Sequence, residues 1–178
     1  KSIISVHIPN AVSGTMQSAQ TAIKRIPEAS VSVIDSLNIS VGQGLIVTHA
    51  AKLVREGKKH DEIVDAIETA REHTKVYCCV KDLSFGVKGG RVPKSVKVIA
   101  DLLQIRPVLT TSESGKLEKA GAVLGKQNLG KKMVKYMVKN HDVNKPYRIS
   151  VGHCNCPKEG KILLEGLKNK FKNLQSTE

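Results

Sequence analysis

A chain of 178 residues with 40% hydrophobic content can bury a core and suits one large domain or one and a half small ones. Its longest apolar runs are too short to cross a bilayer and its start lacks the pattern of a signal peptide, so we predict a cytoplasmic protein without a transmembrane segment. The net charge of +13 favours an acidic partner or an anionic ligand, although lysine-rich helix faces are commonly no more than solvated surface. Because the chain has 3% aromatic residues and no tryptophan, nucleic acid is not a predicted partner.

The first part of the chain alternates strands and helices. Residues 3–8 form an apolar strand closed by Pro9, and a helix begins at about Gly14 and ends before Pro27. The segment SVSVID predicts a second strand, GQGLIVTHAAKLVREG a buried helix, and DEIVDAIETAREH a third helix with acidic residues at its start. This alternation is typical of an α/β protein.

The second part continues the alternation with more turns. KVYCCV predicts a strand, KDLSFGVKGGRVPKS a connection, and VKVIADLL a helix. IRPVLTT predicts a strand whose Pro107 favours an edge or a bend, and SESGKLEKAGAVLG predicts a hairpin. QNLGKKMVKYMVKNH is an amphipathic helix, YRISVGH a strand, and Pro157 opens a last helix, after which we expect a frayed polar tail from Phe171.

The bend NAVSGTM, between the first strand and the first helix, is the first candidate site. A helix start leaves amide hydrogens unpaired and carries a partial positive charge, so this bend suits an anion. Ser13 and Thr15 add hydroxyl donors, and Gly14 lets a ligand approach the backbone. The alternative interpretation is that Ser13 only caps the helix.

A second polar bend, ISVGHCNCPKEG, places His153 after a strand in the same way. Ligands of open α/β sheets bind at the carboxyl ends of strands, so both bends could face one carboxylate or phosphate. Arg91 in VKGGRVP can form a fork to a carboxylate. A structural histidine and a surface arginine beside a glycine turn are the plainer alternatives.

The four cysteines form two close pairs, Cys78-Cys79 and Cys154-Cys156, unlike a secreted disulfide framework. We expect reduced thiols. The sequence HCNC offers an imidazole and two thiolates, but it lacks the usual zinc spacings, so no metal site is predicted.

Taken in order, these motifs resemble the bacterial DegV-like family, which has the EDD fold. The matching segments are SGTMQSA, SVSVIDS before VGQGLIVTHAAKL, KDLSFGVKGGRV, ADLLQIRPVLT and VGHCNCPKEGKIL. The resemblance implies a two-lobed α/β fold whose first lobe is incomplete here, because the family's N-terminal region, with a second carboxylate-binding threonine, has no counterpart. We expect residues 1–37 to belong to the first lobe and 38–178 to the second, with the terminal strand and helix packing back on the first.

The resemblance also implies a lipid carrier that is not itself an enzyme and needs no cofactor. A long-chain fatty acid such as palmitate or oleate would lie in an apolar tunnel between the lobes, its carboxylate held by Ser13 with His153 and Arg91 near the head group. Partners would be a fatty-acid kinase subunit or a fused kinase-like domain. Kinase-linked members carry an arginine where Leu124 and Gly125 stand here, although lysines 126, 131 and 132 are close in sequence.

Two functions from different classes therefore remain open at this point. The first is a fatty-acid-binding protein that holds a carboxylate at Ser13, Gly14 and Thr15. The second is an enzyme domain acting on a small phosphorylated or carboxylated substrate, with His153 as the acid-base group near Arg91. A vestigial lipid site in an interaction domain is a third interpretation.

Overall fold

The computed structural model describes residues 2–95, 98, 103–125 and 127–177. The predicted helix around residues 96–103 therefore lies mostly outside the described residues. The chain divides into two compact units, residues 1–76 with 110–118, and residues 77–109 with 119–178. This division differs from the expected boundary after residue 37, because the helices that follow that residue pack into the core of the first unit.

The first unit is built on two parallel strands, β1 (Ser2–His7) and β2 (Ser30–Asp35), paired from Ser2↔Ser30 to His7↔Asp35. Three helices accompany them: α1 (Thr15–Ile23), α2 (Ser40–Arg55) and α3 (His60–His73). The predicted α/β alternation is confirmed here. The core of this unit contains Ile34, Ile46, Ala50, Ile63 and Ile67, with Ile4 and Val6 of β1 packed against it.

The start of α3 shows how the sequence sets a helix boundary. The backbone N–H of Lys59, the residue before the helix, donates to Glu62 Oε2 at 2.8 Å. Asp61 and Glu62 stand in the first turn, where carboxylates interact favourably with the positive end of the helix dipole. Ile63 and Ile67 lie one turn apart and are both buried, so the apolar stripe of the sequence faces the core.

A three-stranded sheet of order β3-β4-β5 comes next, formed by β3 (Cys78–Cys79), β4 (Ile105–Thr111) and β5 (Leu117–Leu124). A short helix, α4 (Ser84–Lys88), lies in the segment that the sequence predicted as a turn-rich connection. The segment predicted as a hairpin forms the turn and the second strand of the β4-β5 hairpin. Its turn is closed by the N–H of Ser112 on the carbonyl of Lys116 at 2.9 Å.

Pro107 predicted an edge strand or a bend, and the edge is wrong, because β4 is the central strand of this sheet. The pairing with β3 covers only Cys78↔Leu109 and Cys79↔Val108. Beyond it the N–H of Val80 donates to the carbonyl of Pro107 at 3.1 Å. Proline has no N–H to return that bond, so it sits where the ladder to β3 ends.

The remaining elements of the second unit are α5 (Leu129–Asn140), β6 (Pro146–Ile149), α6 (Pro157–Lys170) and β7 (Asn173–Thr177). Strands β6 and β7 pair in parallel, so the expected frayed tail after Phe171 is wrong. The sequence NLQST did not predict a strand, because only one of its five residues is strongly apolar.

Helices α5 and α6 approach closely through glycines. A Cβ atom on Gly130 would lie 2.5 Å from the carbonyl oxygen of Glu159, and one on Gly166 would lie 2.5 Å from Val134 Cγ2. The N–H of Gly130 donates to Glu159 Oε2 at 2.6 Å, so a carboxylate of α6 caps the first turn of α5. The core beside these helices contains Val108, Val123 and Met133.

Four of the five aromatic residues of the chain form one row with His141 in the second unit. Ring centroids of Tyr77 and Tyr136 are 6.1 Å apart, those of Tyr77 and His141 5.2 Å, and those of Tyr147 and Phe171 5.3 Å, all edge-to-face. His141 also meets Tyr147 at 6.2 Å. Edge-to-face contact is favourable for aromatic rings, so these contacts stabilise the packing of the second unit.

Candidate functional site

The bend between β1 and α1 is held by its own backbone. The N–H groups of Val12 and Ser13 both donate to the carbonyl of Pro9, at 2.9 and 3.1 Å. Pro9 is buried, whereas Gly14 and Thr15 are exposed. The bend is therefore anchored below the surface and presents its helix-forming end outward.

Asp35, the last residue of β2, fixes the bend to the neighbouring strand. Its Oδ2 accepts the N–H of Asn10 at 3.1 Å and its Oδ1 accepts the N–H of Leu37 at 2.8 Å. Because β1 and β2 are parallel, their carboxyl ends meet, and one carboxylate can join both. Both oxygens are engaged by amide donors, so this carboxylate holds the bend and the residue after β2 in place.

Gly115, in the turn of the hairpin, lies directly against Pro9. Its φ is +73°, a conformation that L side chains rarely adopt, and a Cβ there would lie 2.5 Å from Pro9 Cβ. No sequence motif marked Asp35 or Gly115 as part of the site. Asp35 could have been found from its place at the end of a strand beside the bend, whereas nothing local in the sequence pairs residue 115 with residue 9.

The N-cap residue of α1 makes no side-chain hydrogen bond to the first turn, and the side-chain contact found there comes from Ser13, one residue earlier. Gly14 is the N-cap residue, so the interpretation of Ser13 as the N-cap is wrong by one position. Ser13 Oγ accepts the N–H of Thr15 at 3.3 Å, and its hydroxyl donates to Thr15 Oγ1, also at 3.3 Å. Both distances are long for hydrogen bonds, so an anion with stronger acceptors could replace these contacts.

The charge around this first turn favours an anion as well. No acidic residue stands in the first turn of α1, so the partial positive charge of the helix start is not neutralised by a neighbouring side chain of that turn. Two hydroxyls and the backbone amides that follow Gly14 are the donors available at this end. The arrangement can bind a carboxylate or a phosphate.

The other two predicted site residues belong to the second unit. His153, in the segment between β6 and α6, is exposed, and its ring packs on Gly160, where a Cβ would lie 2.7 Å from its Cδ2. Arg91 is exposed after the turn Gly89-Gly90, and its Nη1 donates to the carbonyl of Gly89. The structure brings Ser13, Gly14 and Thr15 together, and the inclusion of His153 and Arg91 in the same site stays a prediction.

The cysteines are free thiols. Burial, together with the nearby Cys154, raises the pKa of Cys78, and burial raises the pKa of Cys79 to about 11. Both are therefore protonated and weakly nucleophilic near neutral pH. Within the described residues, no group of three or more His, Cys, Asp and Glu side chains is arranged to hold a metal ion.

The fold and the bend define a mixed α/β protein in which a strand-to-helix turn presents a helix start with hydroxyl and amide donors. The sequence matches the family described as an uncharacterised protein of the DegV family over residues 1–178, so the chain belongs to the DegV family. In Staphylococcus aureus, a DegV domain-containing protein is 38% identical over 116 residues, which are 65% of this chain and 41% of the relative. A Clostridium perfringens relative is 27% identical over 174 residues, 96% of this chain and 60% of the relative.

Three solved structures are similar to this chain over 99% of its length. They are a DegV family protein of Eubacterium eligens loaded with heptadecanoic acid (27% identity, TM-score 0.81), a fatty-acid-binding DegV protein of Thermus thermophilus (25%, 0.83) and a fatty acid kinase B3 protein of Streptococcus pneumoniae loaded with linoleic acid (28%, 0.84). The chain covers 66%, 62% and 64% of these proteins, so it spans less than two thirds of each. No helix among the ranges that the structure describes is long and apolar enough to cross a membrane.

Proposed function

We propose that this chain is a cytoplasmic carrier of a long-chain fatty acid, such as palmitate or oleate, that holds the acyl carboxylate at Ser13, Gly14 and Thr15. The observation that carries the proposal is the helix start at the SGT segment, where the N-cap residue Gly14 gives no side-chain hydrogen bond and the contact from Ser13 is long, in a chain whose solved relatives hold heptadecanoic and linoleic acids. The carboxylate would accept hydrogen bonds from the two hydroxyls and from the first amides of α1.

The proposed binding mode combines polar contacts to the head group with apolar contacts to the acyl chain. Hydrogen bonds at the bend orient the head group, while burial of the acyl chain supplies most of the affinity, at about 0.8 kcal/mol for each buried CH₂. The apolar tunnel and the participation of His153 and Arg91 belong to this proposal. No catalytic group is required of this chain, because holding a carboxylate changes none of its covalent bonds.

We further propose that the carrier presents its ligand to a fatty-acid kinase, as a separate subunit or a fused domain. The similarity to a protein named for fatty acid kinase supports this step. So does the absence of any acidic residue between Glu118 and Asp142, a stretch with six lysines. A partner with an acidic face would be attracted to it, and the attraction would weaken at high salt.

The kinase step is tested by fatty-acid-dependent ATP consumption with the Streptococcus pneumoniae kinase at low and high salt. We expect Lys135→Glu to raise the concentration of this chain needed for half-maximal rate, and Lys24→Glu, an exposed change in the first unit, to leave it unchanged. Equal effects of the two substitutions, or no salt dependence, would argue against docking through these lysines.

The enzyme alternative uses His153 as an acid-base group near Arg91. It is less well supported, because the similar structures whose names describe a ligand contain fatty acids. His153 is exposed and packs on Gly160, which leaves it open to the solvent that an acid-base site commonly excludes. Hydrolysis of a small acyl phosphate by this chain alone, lost in His153→Ala, would favour the enzyme.

Oleate titration of Ser13→Ala tests the binding proposal. Loss of a hydrogen bond to a charged group costs about 1.5–3 kcal/mol, so we expect affinity to fall by roughly 10- to 100-fold with little change in Tm. Ser18→Ala is the matched control, because Ser18 Oγ donates only to the carbonyl of Gly14 at 3.2 Å. Unchanged affinity in Ser13→Ala, or an equal loss in both variants, would contradict the role of Ser13.

A further inference from the structure

The cysteines of the second unit are reactive side chains that the proposed fatty-acid site does not use. Cys154 and Cys156 are exposed in residues 150–156, which form neither helix nor strand between β6 and α6. Cys78 opens strand β3 and is partly buried. All of them are free thiols, so oxidation to a disulfide is open to them.

A row of rings holds the start of β3 beside β6. Tyr77, which precedes Cys78, packs edge-to-face on His141 with ring centroids 5.2 Å apart, and His141 packs on Tyr147 with centroids 6.2 Å apart. Tyr147 lies in β6, and the segment that contains Cys154 follows this strand directly. Cys78 and Cys154 therefore belong to chain segments that start from one packed group of side chains.

The pairing of β3 with β4 directs Cys78 away from the apolar core. Residues that oppose each other in an antiparallel pair share one face of the sheet, and successive residues of a strand alternate between faces. Cys79 opposes Val108 of the core, so Cys78, which opposes Leu109, lies on the other face. Burial raises the pKa of Cys78 and the neighbouring Cys154 raises it further, so the two thiols lie close enough to interact.

The three thiols differ in how an oxidant can reach them. Cys154 is exposed to a small oxidant in the solvent, whereas the raised pKa of Cys78 keeps that thiol protonated near neutral pH. Cys154 is therefore the first thiol to react, and Cys78 is suited to react second, with a sulfur atom that already lies beside it. A bond between Cys154 and Cys156 would instead close a small ring around Asn155, which restricts the dihedral angle that a disulfide prefers.

We propose that Cys154 and Cys78 form an oxidation-sensitive pair that hydrogen peroxide, or another hydroperoxide, converts to a disulfide. The sulfur of Cys154 attacks a peroxide oxygen, the O–O bond breaks, and the departing hydroxyl takes the thiol proton and leaves as water. The sulfur of Cys78 then attacks the sulfenic acid on Cys154, and the displaced hydroxyl takes the second thiol proton and leaves as water. The two thiols lose two electrons, and one hydrogen peroxide is reduced to two waters.

The disulfide would tie β3 to the segment between β6 and α6. His153 precedes Cys154 in that segment, so the bond would fix the position of a residue that our proposal places near the fatty-acid head group. This consequence for the ligand rests on the proposed function, whereas formation of the disulfide does not. A thiol reductant such as glutathione would reverse the bond by thiol–disulfide exchange.

Peptide mapping tests the proposal without any bound fatty acid. The reduced chain is treated with hydrogen peroxide, its remaining thiols are alkylated, and it is digested with trypsin in the absence of a reductant. Cleavage gives the peptides VYCCVK, residues 76–81, and ISVGHCNCPK, residues 149–158. We expect mass spectrometry to find these two peptides joined by one disulfide and separated again by dithiothreitol. Absence of the joined peptide, or a disulfide inside residues 149–158, would overturn the proposal.

Single serine substitutions identify the bonded pair. Cys78→Ser and Cys154→Ser should each abolish the joined peptide, whereas Cys79→Ser and Cys156→Ser are the matched controls and should retain it. A joined peptide that persists in Cys154→Ser would show that the pair is assigned wrongly. A joined peptide found only in a covalent dimer would show a bond between two copies of the chain, which also contradicts the proposal.

Thermal unfolding gives a second measurement. A disulfide between Cys78 and Cys154 closes a long loop of the unfolded chain, so the oxidised protein should have a Tm higher by roughly 5–15 °C, and dithiothreitol should remove the increase. Peroxide should not raise the Tm of Cys154→Ser, in which this bond cannot form. An oxidised protein with an unchanged Tm would contradict the proposal. If the reduced chain binds no oleate and the joined peptide still forms, the fatty-acid proposal fails and the thiol-pair proposal holds.

Discussion

The two units of this chain differ most in charge. The first contains ten Lys and Arg against ten Asp and Glu, whereas the second contains 19 against six, so the whole excess of 13 positive charges lies in the second. Yet the bend that suits an anion belongs to the neutral unit. Hydroxyls and a helix start, rather than lysines, make it a candidate site.

This contrast shows that binding a small anion and attracting a macromolecular partner are different roles, which the net charge of the whole chain does not distinguish. A small anion is recognised by a few oriented donors at short range, and these need no net charge. A charged surface instead acts over several ångströms and suits a macromolecular partner. The neutral unit therefore fits the ligand head group in our proposal, and the basic unit fits the kinase.

The largest expected effect is the loss of a buried side chain from the core of the first unit. Ile67 in the first unit is fully buried, so Ile67→Ala should lower the free energy of unfolding by about 2–5 kcal/mol. Chemical denaturation measures this loss. Ile26→Ala, at a 42% exposed position, is the control and should cost much less. Equal losses would mean that this core has been assigned wrongly.

The contact between the hairpin turn and the bend gives the next largest effect. Gly115→Ala combines a strained positive φ with a clash on Pro9, and we expect a loss of roughly 2–4 kcal/mol. Gly57→Ala is matched in φ, at +75°, but has open space around it, so only about 1 kcal/mol should be lost. If the two variants unfold alike, Gly115 does not hold the bend through Pro9.

In the second unit, the carboxylate that caps α5 should have a smaller effect. Glu159→Gln removes the charge that faces the first turn of α5, and should lower stability by about 0.5–1 kcal/mol. Glu165→Gln removes an exposed pair with Lys168, 3.5 Å apart, and should change almost nothing. A larger loss in Glu165→Gln than in Glu159→Gln would refute the capping role.

The smallest expected effect is a pH dependence from the aromatic row. Burial lowers the pKa of His141 below its ordinary 6.5, so the unfolded chain binds more protons as the pH falls through 6.5. Stability should therefore decrease from pH 7 toward pH 5. Burial raises the pKa of Tyr77, which faces this ring, so Tyr77 stays neutral in that range. The neighbouring Asp142, whose pKa its hydrogen bond from the backbone of Asn144 lowers from 3.8, stays charged.

Thermal unfolding of His141→Gln at pH 7 and pH 5 measures this contribution. The variant loses ring contacts and should be less stable at both values, but the difference in Tm between them should shrink. The other five histidines are the same in both proteins, so they do not account for a difference between them. A pH difference as large as that of the original chain would exclude His141 as its source.

Local patterns predicted much of this fold and less of its packing. The strand SVSVID and the stripe of Ile63 and Ile67 follow from period two and from helical spacing, and both are found. The strand β7 was missed because its pairing with β6 is not local and its side chains are mostly polar. The prediction of an edge strand from Pro107 was wrong because β3, the partner strand, is two residues long and ends at the position where the N–H that proline lacks would be needed.

The candidate site was predictable in part for the same reason. Ser13, Gly14 and Thr15 follow one another in the chain, so a motif could find them. Asp35 and Gly115 act on residues 10 and 9 from far away in the sequence, and only the folded chain reveals those contacts.

The most direct test of the central claim is mass spectrometry of the lipids extracted from this chain after purification, with the Thermus thermophilus protein as a positive control. We predict a long-chain fatty acid in stoichiometric amount, and its loss or strong reduction in Ser13→Ala but not in Ser18→Ala. If the relative carries a fatty acid while this chain contains none and takes up no added palmitate or oleate, this chain is not a fatty-acid carrier by itself.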